Sequence, residues 1–230
     1  MKITKNQTEE LYQFTRKHFV EWYDVQTELV DHLANGIEAQ WEENSNLTFK
    51  ECLNNEFKKF GIFGFSEVVE QKTNALSKYY LKEVFKYLKA YFKLPKIILT
   101  FSSVWILFKI MQVVDNKDYV VIPVISLVFS FVVFYAIKES IRLKKNYKAT
   151  GKKWLFESIT GQLGGAIHFF NIGIYAPQLS TSNDEWTITS QFIFSFFVVL
   201  YVLFFYIAVK IVSPKLKEKL SKEHPEYNLI

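Results

Sequence analysis

The residues best suited to chemistry lie inside an otherwise apolar stretch, 155–179, which holds Glu157, Gly161, Gln162, Gly165 and His168. At 100° per residue Glu157, Gly161, Gly165 and His168 share one face of a helix. Ionisable groups in hydrocarbon are costly, so they mark proton or ligand paths by default. The same face also suits close helix packing: Gly161 and Gly165 form a GxxxG pair that admits a second helix, of this chain or of another copy, and Gln162 or His168 then hydrogen-bonds across the contact. Glu157 and His168 stand roughly 16 Å apart along a helix and do not form a pair. Glu157 is close in sequence to Lys152 and Lys153. His168 is then the one deep ionisable group.

A second cluster, Glu28, Asp31 and His32, lies near the N-terminus. Glu28 and His32 are at i and i+4, which lets two side chains hold one metal ion. Two ligands fall short of the three or four a zinc site needs, and neither HxxH nor CxxC occurs elsewhere, so we expect no metal and no cofactor. Nor does the chain contain GxSxG, GxxxxGK[ST] or HExxH. We expect a protein that is not an enzyme.

The elements that must position these groups follow from hydropathy and charge. Four apolar runs, 94–114, 119–137, 155–179 and 188–212, each have about the length that crosses ~30 Å of hydrocarbon as a helix. The connector between the second and third carries Lys138, Arg142, Lys144, Lys145, Lys148, Lys152 and Lys153, whereas those holding Asp115, Asp118, Asp184 and Glu185 offer only Lys117. Basic loops stay in the cytoplasm. The pattern predicts a multi-pass protein of the cytoplasmic (inner) membrane, with both termini cytoplasmic and a tail at 213–230. Residues 1–75 carry 8 Lys and Arg against 13 Asp and Glu, and the remainder carries 20 against 10. The basic excess therefore lies beside the spans, where anionic lipid accounts for it, and a nucleic-acid partner is excluded. Lys82, Lys86, Lys89 and Lys93, interleaved with aromatic residues over 76–93, suit a juxtamembrane helix at the lipid interface, as do Trp154 and Trp186 at span edges. Lys109, inside the first run, costs roughly 2.5–3.5 kcal/mol at mid-bilayer and less if it snorkels outward. Cys52 is the only cysteine, so no internal disulfide forms.

Ahead of the spans, short helices are expected. Asn6 or Thr8 caps a first one, and Val25, Leu29, Leu33, Ile37 and Trp41 give a second its apolar stripe. Thr48 and Glu51 form a capping box for a third, which ends at Gly61. The stretch Glu28-Leu29-Val30-Asp31-His32-Leu33, then Ile37-Glu38, Leu47-Thr48-Phe49-Lys50-Glu51 and Phe60-Gly61, resembles the small helical HAAS domain of bacterial membrane proteins. That resemblance covers about a sixth of the chain. It implies a signalling or regulatory protein, of a kind often linked with PadR-type transcription regulators, and supplies no active-site residue. The expected architecture is all-α: a small cytosolic helical domain and a four-helix transmembrane bundle. The expected role is regulatory, with a cytosolic protein partner and membrane lipids as contacts. The alternative is a homo-oligomeric transporter or channel subunit whose path follows the third-span stripe.

Overall fold

The computed structural model describes residues 1–161, 186–224 and 227, and the fold is all-α. The chain forms two compact units, one of Met1–Lys78 with Lys145–Ile159, the other of Tyr79–Lys144 with Thr160–Ile230.

In the first unit, α1 (Lys5–Lys17) starts from a capping box in which the Thr4 side chain accepts from the Gln7 backbone N–H and the Gln7 side chain reaches back. The cap is therefore Thr4, ahead of the expected Asn6 or Thr8. At the other end the Val20 N–H donates to the Thr15 carbonyl (3.1 Å) and the Phe19 N–H to the Arg16 carbonyl (3.1 Å), which folds the chain back into a Schellman-type stop. Phe19 occupies the left-handed position there, at φ +65°. Glycine normally fills it, because a Cβ clashes with the following carbonyl.

The apolar stripe predicted for the second helix is buried on α2 (Tyr23–Glu43). Its end is fixed by Trp41, whose Nε1 donates to the Leu47 carbonyl at 2.9 Å. The capping box of Thr48 and Glu51 then opens α3 (Phe49–Lys58). Close packing of α2 on α3 depends on Gly36, where an added Cβ would overlap the buried Glu56 carboxylate. That carboxylate accepts from Gln40 (2.7 Å) and Lys59 (2.6 Å). Gly61 and Gly64, at φ +72° and +54°, make the turn into α4 (Phe65–Tyr91). The core of the unit combines Leu11, Val20, Leu29, Leu33, Ile37, Cys52 and Phe65 with Leu155, which comes from far along the chain.

The long apolar helices of the second unit are α5 (Lys96–Val113), α6 (Asp118–Thr150, of which the part from Lys145 belongs to the first unit) and α8 (Ile188–Tyr206); α7 (Leu155–Gly161) follows α6 in sequence and lies in the first unit as far as Ile159. Helix α8 continues through a π-helical stretch, Ile207–Val212, into α9 (Ser213–Glu223). Three helices among the described residues are long and apolar enough to cross a membrane. They leave Leu99, Trp105, Leu127 and Phe134 exposed, as lipid-facing helices do. These helices are those of an integral membrane protein, and they overlap the first, second and fourth expected spans, the first of which is trimmed to Lys96–Val113. Of the third, residues 162–179 lie outside the described residues. Met111, Val120 and Phe194 bring α5, α6 and α8 together. In the π-helical stretch the Ala208 carbonyl accepts the Ser213 N–H and also the Tyr80 hydroxyl (3.3 Å), which ties α4 to it.

Two substitutions test these local readings in opposite directions. Phe19→Gly should stabilise the chain by about 1 kcal/mol, because the ring is exposed and only the backbone strain is removed. Gly36→Ala should destabilise by about 1–3 kcal/mol through overpacking. Thermal unfolding of the solubilised protein should show the first midpoint raised and the second lowered.

Candidate functional site

In the first unit the connector after α6 meets the start of α2 through several interactions that join residues far apart in sequence. Residues 152–154 run beside Trp22, and Trp22 and Lys153 form an isolated parallel β-bridge. The Tyr23 N–H donates to the Lys153 carbonyl at 2.7 Å. Two residues on, the Leu155 N–H donates to Asp24 Oδ1 at 3.1 Å, so a carboxylate in the first turn of α2 caps the start of α7. Side chains reinforce the backbone pairing. Lys153 Nζ reaches Glu21 (2.6 Å), and Lys152 Nζ stands 3.7 Å from the centre of the Tyr23 ring. Tyr23 also meets Trp154 edge-on at 5.3 Å and stacks on Tyr12 at 5.9 Å.

Magnitudes decide which of these holds the connector. Lys153 and Glu21 are both substantially exposed, and such a pair contributes about 0–1 kcal/mol. Trp154 and Leu155 are 2% and 4% exposed. Burial of one large apolar side chain contributes roughly 1.5–3 kcal/mol, so apolar burial outweighs the ion pair. The bond to Glu21 raises the Lys153 ammonium above its ordinary pKa.

The residues singled out by type and spacing fall in several places. Glu157 is buried on α7, and Gly161 lies against α6, where a Cβ would come 3.2 Å from Leu143 Cδ1 and 3.5 Å from Glu139 Cγ. Gln162, Gly165 and His168 lie outside the described residues. Glu28 pairs with Lys72 at 2.6 Å rather than with His32, whose ring meets Phe60 edge-on at 5.6 Å. Asp31 is exposed, and no group of three His, Cys, Asp or Glu able to hold a metal occurs among the described residues. Thr48 and Glu51 make the α3 cap, with the Thr48 N–H donating to Glu51 Oε2 at 2.8 Å, and Gly61 makes the turn that follows α3. Lys82, Lys89 and Lys93 are exposed, while Lys86 pairs with Glu83 at 3.2 Å. Trp186 packs edge-on against Phe194 at 5.6 Å. Trp154, read from sequence as an interface residue, is surrounded by protein.

Sequence reasoning missed two features. Charge alone describes the connector as a basic loop and gives no sign of its docking into the N-terminal unit; the one signal in the sequence is Trp154-Leu155-Phe156 directly after the charge run. Glu139 is the second. It is buried between Arg142 and Lys217, whose Nζ stands at 3.5 Å, and its i,i+3 spacing to Arg142 was the visible clue. Elsewhere in the second unit a surface groove of about 500 Å³ is lined by Phe101, Ser102, Val104, Trp105, Ile106 and Phe192. It is too apolar to orient a polar substrate. No family model, curated protein or solved structure matches the chain.

Two measurements follow from this geometry. Leu155→Ala should cost about 2–5 kcal/mol of stability, against less than about 1 kcal/mol for Lys153→Ala. Chemical denaturation should rank them in that order. The Thr48 backbone N–H holds the Glu51 carboxyl below its usual range. A carboxylate whose pKa is lowered on folding adds stability above its unfolded pKa and loses it as pH falls through the folded value. Acid should therefore loosen α3, and Glu51→Gln should remove that pH dependence, read as amide exchange of residues 49–53 between pH 7 and pH 3.

Proposed function

We propose that this is a regulatory protein of the cytoplasmic membrane, whose N-terminal helical unit faces the cytoplasm, binds a protein partner there, and takes its state from the membrane helices through residues 145–159. The observation that carries this reading is the docked connector. Residues 152–155 are bridged to α2, with Trp154 and Leu155 buried, yet they are covalently continuous with α6, one of the helices able to cross a membrane. A displacement of α6 pulls on a segment that the N-terminal unit cannot release without losing apolar burial.

Sidedness is supported by the same segment. The connector is the most basic stretch between apolar runs, and basic loops are retained in the cytoplasm. Because the connector is part of the N-terminal unit, that unit shares its side. The likeness of residues 23–61 to HAAS domains supports a regulatory role in a bacterial protein. Phe19, Ile62 and Phe63, exposed at 88%, 99% and 75%, flank in sequence the packed rings of His18 and Phe65 and supply apolar surface for a partner.

The test is hydrogen exchange of the full chain in nanodiscs of two bilayer thicknesses. Amides of residues 20–26 and 152–157 should change protection together when the thickness changes. Identical exchange in both bilayers, or a change at one segment without the other, contradicts the coupling.

A further inference from the structure

We propose that the second half of α4 and the helix α9 form one cationic and aromatic surface that binds anionic phospholipid headgroups. The proposal rests on reading α5, α6 and α8 as membrane-spanning and is independent of how the N-terminal unit acts. On α4, Tyr80, Val84 and Leu88 make the buried stripe. At 100° per residue, Lys82, Lys86 and Lys89 fall together within about 60° of arc on the opposite side, all exposed, and the exposed Lys93 follows just past the end of the helix. Between the two stripes lie Leu81 and Phe85, exposed at 41% and 43%. A row of lysines beside exposed apolar side chains matches the boundary between headgroups and acyl chains, where both find a partner at once.

Helix α9 extends the same surface. Lys215 Nζ donates to the Tyr87 hydroxyl and lies 4.5 Å from the centre of that ring, and Lys219 Nζ lies 4.9 Å from the centre of the Tyr79 ring. Tyr79 adjoins the lysine row, so the two helices contribute neighbouring cations. Over 79–96 there are five lysines against one glutamate, and over 207–223 five against two. Among the described residues Lys82, Lys89 and Lys93 have no acidic partner, so their charge is available to a ligand. Both helices are continuous or nearly so with membrane-spanning ones, through residues 92–95 and through Ile207–Val212. A headgroup layer is therefore the anionic surface within reach.

The full chain, purified in mild detergent with a mixture of anionic and zwitterionic phospholipids of equal chain length, tests this by native mass spectrometry of retained lipid. The wild type should retain the anionic lipid preferentially, with the preference shrinking as salt rises. Each lysine near the surface is worth up to about a fivefold preference. Replacement of Lys82, Lys89, Lys93, Lys215 and Lys219 by Gln should bring retention near parity while leaving helicity and melting temperature unchanged. If that variant loses helicity, the pair Lys82→Gln and Lys89→Gln, which touches no described side-chain partner, should still lower the preference. Equal retention of both lipids by the wild type overturns the proposal. So does an unchanged preference in the folded variants, or displacement of the lipid by inorganic phosphate at the same ionic strength, which would mark a free-anion site.

Discussion

Burial of Trp154 and Leu155 in the N-terminal unit is the interaction on which the rest depends. Without it the first 78 residues would be a small domain tethered only through α4. With it, the unit is closed by a segment that enters from α6 and leaves through α7. Small domains bury a low fraction of their surface and gain much from each added apolar side chain. The polar contacts around the connector, from Tyr23 N–H to Lys153 O and from Leu155 N–H to Asp24, prevent it from docking one residue out of register.

The second unit answers a matching problem at its own polar groups. Glu139 sits buried on α6, where an uncompensated carboxylate would be costly, and Arg142 and Lys217 neutralise it. Gly161 lets α7 lie close to α6 beside this cluster. Its neighbours there are Leu143 and Glu139, so the first glycine of the GxxxG pair makes a close helix contact within the chain.

Local features were legible in the sequence because their causes are local. The α2 stripe, the capping box of Thr48 and Glu51, the turn at Gly61 and the apolar runs behind α5, α6 and α8 each rest on periodicity or on one side chain answering a nearby backbone group. What could not be read depends on distance along the chain. Nothing near Trp22 announces a partner 131 positions away at Lys153, and tryptophan after a basic run reads equally well as an interface anchor or as a core residue. Glu28 and His32 show the same limit from the other side: two side chains at i and i+4 are too few to hold a metal, but nothing in their spacing names Lys72 and Phe60 as the groups they meet.

The central claim is that the connector is a permanent part of the N-terminal unit. The parallel bridge brings the backbones of Trp22 and Lys153 within the range a disulfide requires. The full chain in membranes, with Cys52→Ala, Trp22→Cys and Lys153→Cys, should form an intramolecular disulfide rapidly on mild oxidation, whereas the control pair Asn44→Cys and Lys153→Cys should not. Absence of the first crosslink, or equal crosslinking of both pairs, would contradict the account.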